Sequence, residues 1–432
     1  MRPPGENALR EIVLFEDDGA AGFGPLGLVR PIFELIAGAF TLGERATRVS
    51  GLPVRSAWVR PHLSPLLSEL GLVPWDAAGG VDRGSGVPLA LNAACLLDPP
   101  GWEEIASQPP GMILTTSAGR VVAARLDTIP LQSVTGDPQS IASTLSPASI
   151  RVAKAARVLR HSSELISAHE AHLDADIRAL MRALSLRPVV TSASEGVFVR
   201  GPEVFAEDRV RIQGPVAIDA TAGPVLLRRE VRLAPFTFLE GPVLVGEGTQ
   251  VLGGRIAQSY LGPGCLIRGE VAGSVFLGWS NKAHDGFVGH SYFGAWVNLG
   301  AMTTTSNLKN TYGEVRIRVD DALESSGRTK LGSVIGDHSK TAIGTLLATG
   351  ATIGVGVNLF GAVGIAPRFV PSFVWGVGPG ASEHDPARCL RTAERVMARR
   401  GRELSAAQRE VLRGAFVASA AERRSFLESL RT

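Results

Sequence analysis

The sequence predicts an α/β N-terminal domain, a helical linker, a parallel β-helix and a helical tail. Short apolar runs alternate with helical patches in the first part of the chain, which is the pattern of an α/β domain. Aliphatic residues then recur every six positions, which is typical of a parallel β-helix. We divide the 432 residues into an N-terminal domain 1–145, a linker 146–187, a β-helix 188–381 and a tail 382–432.

The bulk composition argues against several classes of protein. The formal net charge is +3 and the arginines are scattered, so nothing indicates nucleic-acid binding. Cys95, Cys265 and Cys389 form neither a metal-ligand spacing nor a disulfide framework, which favours a reducing compartment. The N-terminus has no apolar signal core, and no apolar run reaches the roughly 18 residues of a membrane span. We therefore expect a cytoplasmic protein without membrane contact.

In the N-terminal domain, the apolar run 11–15 predicts a buried strand. A helix is expected to begin at Pro31, because proline is tolerated in the first turn of a helix. The apolar runs 89–97 and 112–116 predict further strands. Gly/Pro clusters separate these elements at 79–88, 98–101 and 109–111.

Residues 149–186 carry apolar side chains at helical spacing among Arg, Glu, Asp and His. Because the stretch contains no Gly or Pro, it predicts one or two connector helices. Beyond residue 382, the segments 387–400 and 405–430 predict two amphipathic helices, and Ser405 with Gln408 matches a capping box. Such a tail could cap the open end of the solenoid or pack on a neighbouring subunit.

The β-helix is predicted from the spacing of aliphatic residues between about 188 and 380. Val225, Val231 and Val243 are separated by six and twelve positions. A glycine follows the aliphatic residue at Val245, Leu261, Leu277, Val288, Ile335, Ile343 and Ile353. In a triangular coil the aliphatic side chain fills the interior, and the small residue after it permits the tight corner.

His290 lies in the most informative stretch of the chain. It follows the period-setting Gly289 and precedes a long break in the period, as expected of a loop that leaves the solenoid to make a site. A neutral imidazole, titrating near 6.5, is suited to take a proton from an amine or hydroxyl that attacks a thioester. Backbone N–H groups at the turn of Gly300 and Ala301 could stabilise the oxyanion. His284 and His338 are the other histidine candidates in the solenoid.

Polar residues near the break could bind a sugar phosphate, with amides for hydroxyls and lysine for phosphate. They are Asn298, Asn307, Lys309, Asn310 and Tyr312. A solvated polar loop is an equally weighted alternative. Lys340 could meet a phosphate or the pantetheine chain of coenzyme A, and Lys282 is similarly placed, but surface lysines are the simpler interpretation.

A glycine-rich turn follows the first strand and could admit a nucleotide phosphate. Asp17 or Asp18 could help to hold Mg²⁺, and Arg30 could neutralise a triphosphate. The turn is neither a Walker A loop nor a dinucleotide fingerprint, and Asp and Gly favour turns in any case.

Three solenoid segments, 235–249, 281–301 and 336–345, carry a resemblance to a known family, and the opening 12–18 with the Arg30-Pro pair adds to it. They resemble a bacterial family of sugar nucleotidyltransferases. These look like alternative forms of the bifunctional N-acetylglucosamine-1-phosphate uridyltransferase/glucosamine-1-phosphate acetyltransferase. The resemblance implies a degenerate GT-A-like domain, a helical linker and a trimeric left-handed β-helix acetyltransferase.

Residue by residue, the resemblance makes His290, in the Gly-His-Ser-Tyr segment, the catalytic base and Tyr292 a sugar-phosphate contact. Asn298 and Asn307 fall on positions that bind the amino sugar and orient the reaction. Ala301 falls where a backbone group contacts the acyl donor.

The chain also departs from the family pattern. No Gly-x-Gly-x-Arg loop follows the first strand, and Arg30-Pro stands where a catalytic lysine is expected, which argues against nucleotidyl transfer. Met302 replaces a usual glycine and would narrow the acyl pocket. The insertion 320–330 is longer than one coil needs.

We expect an enzyme of sugar-nucleotide biosynthesis. Its β-helix would transfer acetyl from acetyl-CoA to an amino-sugar phosphate, with His290 as general base and no acyl-enzyme. Its N-terminal domain would transfer a nucleoside monophosphate from an NTP to a sugar 1-phosphate with Mg²⁺. Sugar phosphates and nucleotides are the expected partners, and a homotrimer is the expected assembly. One alternative is a non-catalytic sugar-nucleotide-binding or scaffold protein. Another is an acyltransferase whose N-terminal domain only binds the nucleotide end of its substrate.

Overall fold

A computed structural model describes residues 9–75, 87–109, 111–125, 150–186, 188, 196–319 and 322–431. The expected domain boundaries at 145 and 187 lie outside the described residues. So do most of the Gly/Pro cluster at 79–88, the middle of the cluster at 109–111 and the start of the insertion 320–330.

The N-terminal domain is built around a mixed sheet. The described strands of the domain are β1 (Leu9–Phe15), β2 (Ile36–Ala37), β3 (Phe40–Thr41), β4 (Val54–Trp58), β5 (Val73–Pro74), β6 (Val87–Asn92), β7 (Cys95–Leu96), β8 (Ile113–Thr115), β9 (Val121–Arg125), β10 (Ile150–Val152) and β11 (Arg157–Val158). Its helices are α1 (Pro25–Leu28), α2 (Leu42–Ser50) and α3 (Pro99–Ala106), with 3₁₀ turns at Asp18–Phe23, Ile32–Glu34 and Pro61–Leu66.

The seven-stranded sheet has the order β10-β8-β9-β6-β1-β4-β5. Strand β1 pairs in parallel with β4 and β6, whereas β9 runs antiparallel to β6 and β8. Core clusters cover both faces of β1, which is why its sequence is a continuous apolar run and not an alternation. The strands predicted at 11–15, within 89–97 and within 112–116 are confirmed.

The helix predicted to begin at Pro31 is wrong. A single 3₁₀ turn, Ile32–Glu34, is followed by the β2–β3 hairpin, and α2 begins at Leu42 behind a capping box of Thr41 and Glu44. The hairpin turn holds Gly38 at φ 77°, and a Cβ there would lie 2.1 Å from the carboxylate of Asp176. A contact from another part of the chain therefore overrides the local helical pattern.

The prediction of helix is wrong at residues 150–152 and 157–158, which form strands. Strand β10 joins the N-terminal sheet beside β8, and β11 pairs with β7. The helix of this region, α4, spans Ser162–Ala183. The apolar spacing before residue 160 belongs to edge strands, whose partners lie far away in sequence.

The remaining strands form the solenoid and the loop that leaves it. They are β12 (Val197–Arg200), β13 (Val204–Ala206), β14 (Arg211–Ile212), β15 (Val216–Asp219), β16 (Val225–Leu227), β17 (Arg232–Leu233), β18 (Thr237–Glu240), β19 (Val243–Val245), β20 (Gln250–Val251), β21 (Gly254–Ala257), β22 (Tyr260–Leu261), β23 (Leu266–Ile267), β24 (Glu270–Ala272), β25 (Val275–Gly278), β26 (Asn281–Lys282), β27 (Phe287–Gly289), β28 (Tyr292–Ala295), β29 (Thr304–Thr305), β30 (Arg316–Val319), β31 (Ala322–Ser325), β32 (Val334–Ile335), β33 (Lys340–Thr341), β34 (Leu346–Leu347), β35 (Thr352–Ile353), β36 (Asn358–Leu359), β37 (Phe369–Val370), β38 (Val374–Trp375) and β39 (Ser382–Glu383).

Three parallel sheets wrap around one apolar interior. Face 1 is β12-β15-β18-β21-β24-β27, and face 2 is β13-β16-β19-β22-β25-β28-β32-β35-β37. Face 3 is β14-β17-β20-β23-β26 and resumes as β33-β36-β38, with β39 added antiparallel. Val225, Val231 and Val243 are fully buried in the shared core. The hexapeptide interpretation is confirmed, and the stacked sheets are consistent with a left-handed β-helix. Two of the seven positions predicted to fill the interior do not: Leu277 packs against the core cluster of the N-terminal domain, and Ile343 is exposed.

One solenoid corner carries a stack of rings. Trp279, Trp296 and His338 have left-handed φ values of 54°, 63° and 59°. The two indoles stack with centroids 5.3 Å apart, and the imidazole lies 6.3 Å from Trp296. At Gly264, on the preceding coil, a Cβ would lie 2.4 Å from the Trp279 ring, so only glycine fits beneath the stack.

The tail contains α5 (Pro386–Ala398), α6 (Ala406–Ala418) and α7 (Ala420–Ser429). The capping box of Ser405 and Gln408 is confirmed, but the second predicted helix is interrupted at Ser419. Helix α5 packs on the aromatic corner, and Leu427 of α7 joins the solenoid core. The tail therefore covers one corner and caps the open end.

Candidate active site at His290

His290 sits at the corner between face 1 and face 2, directly after β27, with φ 47°. Gln258 and Gly273 occupy the same corner on the two preceding coils, with φ 49° and 57°. A Cβ on Gly273 would lie 3.2 Å from the His290 ring, so this glycine leaves room for the imidazole. The solenoid thus fixes His290 by the same geometry that shapes each coil.

Asn307 follows β29 and reaches the imidazole. Its Nδ2 lies 2.7 Å from Nδ1 of His290. With this orientation Nδ1 accepts, and the neutral ring carries its proton on Nε2. A half-turn of the amide puts Oδ1 at the same place, so that Nδ1–H donates to it and Nε2 is left free to accept a proton. Asn307 can therefore select the tautomer that a general base needs.

The Nε2 side of the ring faces a cavity of about 580 Å³. Glu170 of helix α4 lines it, with Oε1 3.8 Å from His290 Nε2. Arg328 and Lys330 also line the cavity, and Arg328 donates to the same Glu170 oxygen at 2.6 Å. The cavity combines a candidate base with cationic groups that suit an anionic substrate.

The environment keeps the imidazole neutral. Burial lowers the pKa of His290 below its usual value, and the positive charges of Arg328 and Lys330 lower it further. The carboxylate of Glu170 acts in the opposite direction and raises this pKa. A neutral histidine at neutral pH can accept a proton, which is the state a general base requires.

Two residues expected at the site serve the fold instead. Tyr292 is fully buried; its hydroxyl accepts from Ile36 N at 2.7 Å and donates to Ile36 O at 3.1 Å, which leaves nothing for a sugar phosphate. Lys282 is buried, and its ammonium donates to the carbonyls of Arg268 and His284. Burial lowers the pKa of Lys282 to about 8. Neither side chain is therefore placed to make the substrate contact that was expected of it.

The other expected solenoid residues lie away from the base. Asn298 accepts from Asn281 at 2.7 Å on face 3, beside Lys340, whose ammonium donates to His338 O. The carbonyl of Ala301 accepts from Gly344 N. Lys309 donates to the Glu314 carbonyl, and Asn310 and Tyr312 are exposed. Within the described part of the chain, none of them lines the His290 cavity.

Sequence reasoning missed the three charged residues that line the cavity with His290: Glu170, Arg328 and Lys330. The unusual length of the insertion was a signal for Arg328 and Lys330, because the loop folds back over the corner. Glu170 lies 120 positions before His290, inside an ordinary amphipathic helix, and no local pattern marks it.

The expected nucleotide site is not assembled. Asp17 accepts from Arg120 at 2.8 and 2.9 Å and from Asn92 at 2.9 Å, and it caps the turn Asp18–Phe23. Arg30 pairs with Asp337 of the solenoid, and Asp18 is exposed. The guanidinium of Arg120 fills the space over the glycine turn, since a Cβ at Gly19 would lie 2.4 Å from it.

The donor set at this turn does not fit Mg²⁺. The charge of Asp17 is already neutralised by Arg120, and a hard cation prefers several free oxygen ligands. Across the described residues, no group of three or more His, Cys, Asp or Glu could hold a metal ion. Those residues also include no helix that is both long and apolar enough to cross a bilayer.

Parts of the chain are similar to known proteins. The sugar nucleotidyl transferase family matches residues 12–183, which end at the last residue of α4. A bifunctional sugar-1-phosphate nucleotidylyltransferase/acetyltransferase of Sulfurisphaera tokodaii is 37% identical over 91 residues, which is 21% of this chain and 23% of that protein. The bifunctional protein GlmU of Methanococcus maripaludis is 36% identical over 85 residues, 20% of each chain.

A third relative, the uncharacterized acetyltransferase YaiX of Escherichia coli, is 26% identical over 178 residues, 35% of this chain and 68% of that protein. The chain spans about a fifth of the length of the two bifunctional relatives that it matches. Two of these relatives, those of Sulfurisphaera tokodaii and Escherichia coli, are named as transferases. Over part of its length, therefore, the chain resembles sugar nucleotidyltransferases and the bifunctional nucleotidylyltransferase/acetyltransferases.

Proposed function

We propose that the β-helix of this protein is an acyltransferase of sugar-nucleotide biosynthesis, which moves acetyl from acetyl-CoA to the amine of an amino-sugar phosphate. The observation that carries the proposal is His290, paired with Asn307, at a cavity with two cationic side chains. Two relatives whose names include acetyltransferase, one of them bifunctional, support the reaction class.

The reaction is direct attack. The neutral amine of the acceptor adds to the thioester carbonyl while His290 Nε2 takes its proton. The tetrahedral intermediate collapses, the C–S bond breaks, and the imidazolium returns the proton to the leaving thiolate. The products are the N-acetylated sugar phosphate and coenzyme A, so atoms and charge balance without an acyl-enzyme.

The charges around the cavity support an anionic acceptor. Arg328 and Lys330 outnumber Glu170, and a guanidinium binds phosphate through paired donors. Asn307 sets the tautomer of the base. We propose that Ala301 and Lys340 contact the acyl donor, and that Asn298 with the loop side chains Lys309, Asn310 and Tyr312 contacts the amino-sugar phosphate.

A homotrimer is proposed as the active assembly. Face 2 is covered by the N-terminal domain and α4 of the same chain. Face 1 and its corner leave apolar side chains in water, with Phe198 66%, Phe236 80% and Ile343 80% exposed. Because His290 lies at the edge of face 1, a neighbour packed there would stand beside the site. The three cysteines are buried and free, in keeping with the cytoplasmic location that we propose.

The ion pairs of the N-terminal domain favour a supporting role for this domain over nucleotidyl transfer. Its Asp17 is held by Arg120 and its Arg30 by Asp337. We propose that this domain supports the acyltransferase, and binds at most the nucleotide end of a substrate, without Mg²⁺-dependent nucleotidyl transfer through Asp17.

The proposal is tested by coenzyme A release from acetyl-CoA in the presence of glucosamine 1-phosphate. Glucosamine without phosphate is the matched acceptor. We expect release with the phosphate and a much higher KM without it. If neither this acceptor nor related amino-sugar phosphates support release, the non-catalytic binding protein becomes the better account.

A further inference from the structure

We propose that Glu170, on helix α4, is a positioning residue for His290. The carboxylate of Glu170 pairs with the imidazolium that forms on His290 during proton transfer. This inference rests on the proposed acyl transfer at the same site. It gives helix α4, which lies outside the solenoid, a function in the reaction. The reaction then also depends on the N-terminal domain, which holds α4 in place.

The contact geometry supports a charge pair that tightens when the ring is protonated. Glu170 Oε1 lies 3.8 Å from His290 Nε2, within ion-pair range but beyond a hydrogen bond. Arg328 holds the carboxylate at this distance by donating to the same oxygen at 2.6 Å and to Ser167 Oγ at 2.7 Å. Ser167 and Glu170 are one turn apart on α4, so the guanidinium clamps this turn to the insertion.

Neighbouring residues on α4 fix the helix against both domains. The ring of His169 lies between two carbonyl groups, 3.1 Å from Gly38 O and 3.3 Å from Gln258 O. Gln258 belongs to the same solenoid corner as His290. Asp176 accepts from Ala39 N at 2.9 Å in the N-terminal hairpin. The carboxylate of Glu170 is therefore delivered to His290 by a helix that the N-terminal domain anchors.

The charges around His290 explain why a carboxylate is needed beside it. The charged groups that face His290 are Glu170 from α4 and Arg328 and Lys330 from the insertion. Burial and the two cations all oppose the imidazolium, and Glu170 is the one group among these that stabilises it. A base that could not hold its proton would be weak, so Glu170 offsets the cations that the acceptor needs.

The first test measures the pKa of His290 directly, in the full-length protein labelled at histidine Cε1, by NMR titration. The His290 signal is assigned by its loss in His290→Asn. In Glu170→Gln we expect the pKa of His290 to fall, because the carboxylate that stabilises the imidazolium is lost. Solvent screening moderates the fall, since the Glu170 side chain is 35% exposed. Asp174→Asn removes a charge one turn further along α4, where the partner is Arg178, and serves as the matched control.

The same variants are then assayed for acyl transfer. We expect Glu170→Gln to lower kcat about tenfold and to move the acidic limb of the pH profile to lower pH, with Glu170→Asp recovering part of both. A helix that only closes the cavity would change KM without moving the limb. The inference is overturned if the His290 pKa is the same in Glu170→Gln and the wild type while the amide spectrum shows an intact fold. Because the titration needs no substrate, a wild type without acyltransferase activity would count against the proposed function alone.

Discussion

The burial of Tyr292 yields a prediction that separates two roles for one side chain. The resemblance makes this residue a sugar-phosphate contact, whereas its hydroxyl makes two hydrogen bonds to Ile36 in the interface between domains. Tyr292→Phe keeps the ring and removes only the hydroxyl. The variant therefore asks whether the oxygen serves the substrate or the fold.

The magnitude follows from the groups left behind. Loss of the hydroxyl strands a buried N–H and a buried C=O of Ile36, and each such group costs about 1–3 kcal/mol when unsatisfied. We expect the free energy of unfolding to fall by about 3 kcal/mol, measured by urea titration of the full-length protein. Acyl transfer at a temperature where the variant is folded should keep its KM for the acceptor within about twofold.

Tyr260→Phe is the matched control. Tyr260 is also packed between the domains, but its hydroxyl makes no hydrogen bond within the part of the chain that the structure describes. Its removal should cost less than about 1 kcal/mol. The reasoning is refuted if Tyr292→Phe is as stable as the control and instead raises the KM for the acceptor about tenfold or more.

Three further predictions address the corner, the tail and the N-terminal turn. In Gly273→Ala the new methyl lies 3.2 Å from the His290 ring at a left-handed φ, so acyl transfer should fall about tenfold; an unchanged rate would show that the ring position is not critical. Arg402→Ala removes a guanidinium 4.6 Å from the Trp279 centroid, which should cost about 0.5–1 kcal/mol and speed proteolysis of the tail; equal proteolysis rates would contradict this. Addition of Mg²⁺ and UTP should leave the melting temperature of the protein unchanged, because Asp17 is already paired with Arg120. A nucleotide that did bind, at a concentration of 100 times its Kd, would stabilise the protein by about 2.7 kcal/mol, and the resulting rise in melting temperature would contradict the prediction.

The solenoid could be predicted because its signal is local. Each coil repeats the same buried interior positions. Aliphatic residues at these positions, such as Val231 and Val251, can be recognised from a window of a few residues. The errors at Pro31 and in strand β10 have the opposite origin. There the pairing partner or the contacting carboxylate lies far away in sequence, and local helical spacing cannot report it.

The site shows the same division. His290 and Asn307 stand in recognisable positions around the break in the period, and the structure brings them to 2.7 Å. Tyr292 lies two residues from His290, on the next strand, and faces the N-terminal hairpin instead of the cavity. Glu170 comes to the site only because α4 is anchored between two domains, so no motif could have named it.

The central claim is that His290 is the general base of an acyltransferase, and the rate of coenzyme A release by His290→Ala tests it most directly. His284→Ala, which removes an exposed histidine of the same segment, is the control. The account predicts a loss of about 10²–10⁴-fold in kcat for His290→Ala at unchanged stability, with His284→Ala near the wild-type rate. A His290→Ala protein that is folded and releases coenzyme A at the wild-type rate would contradict it.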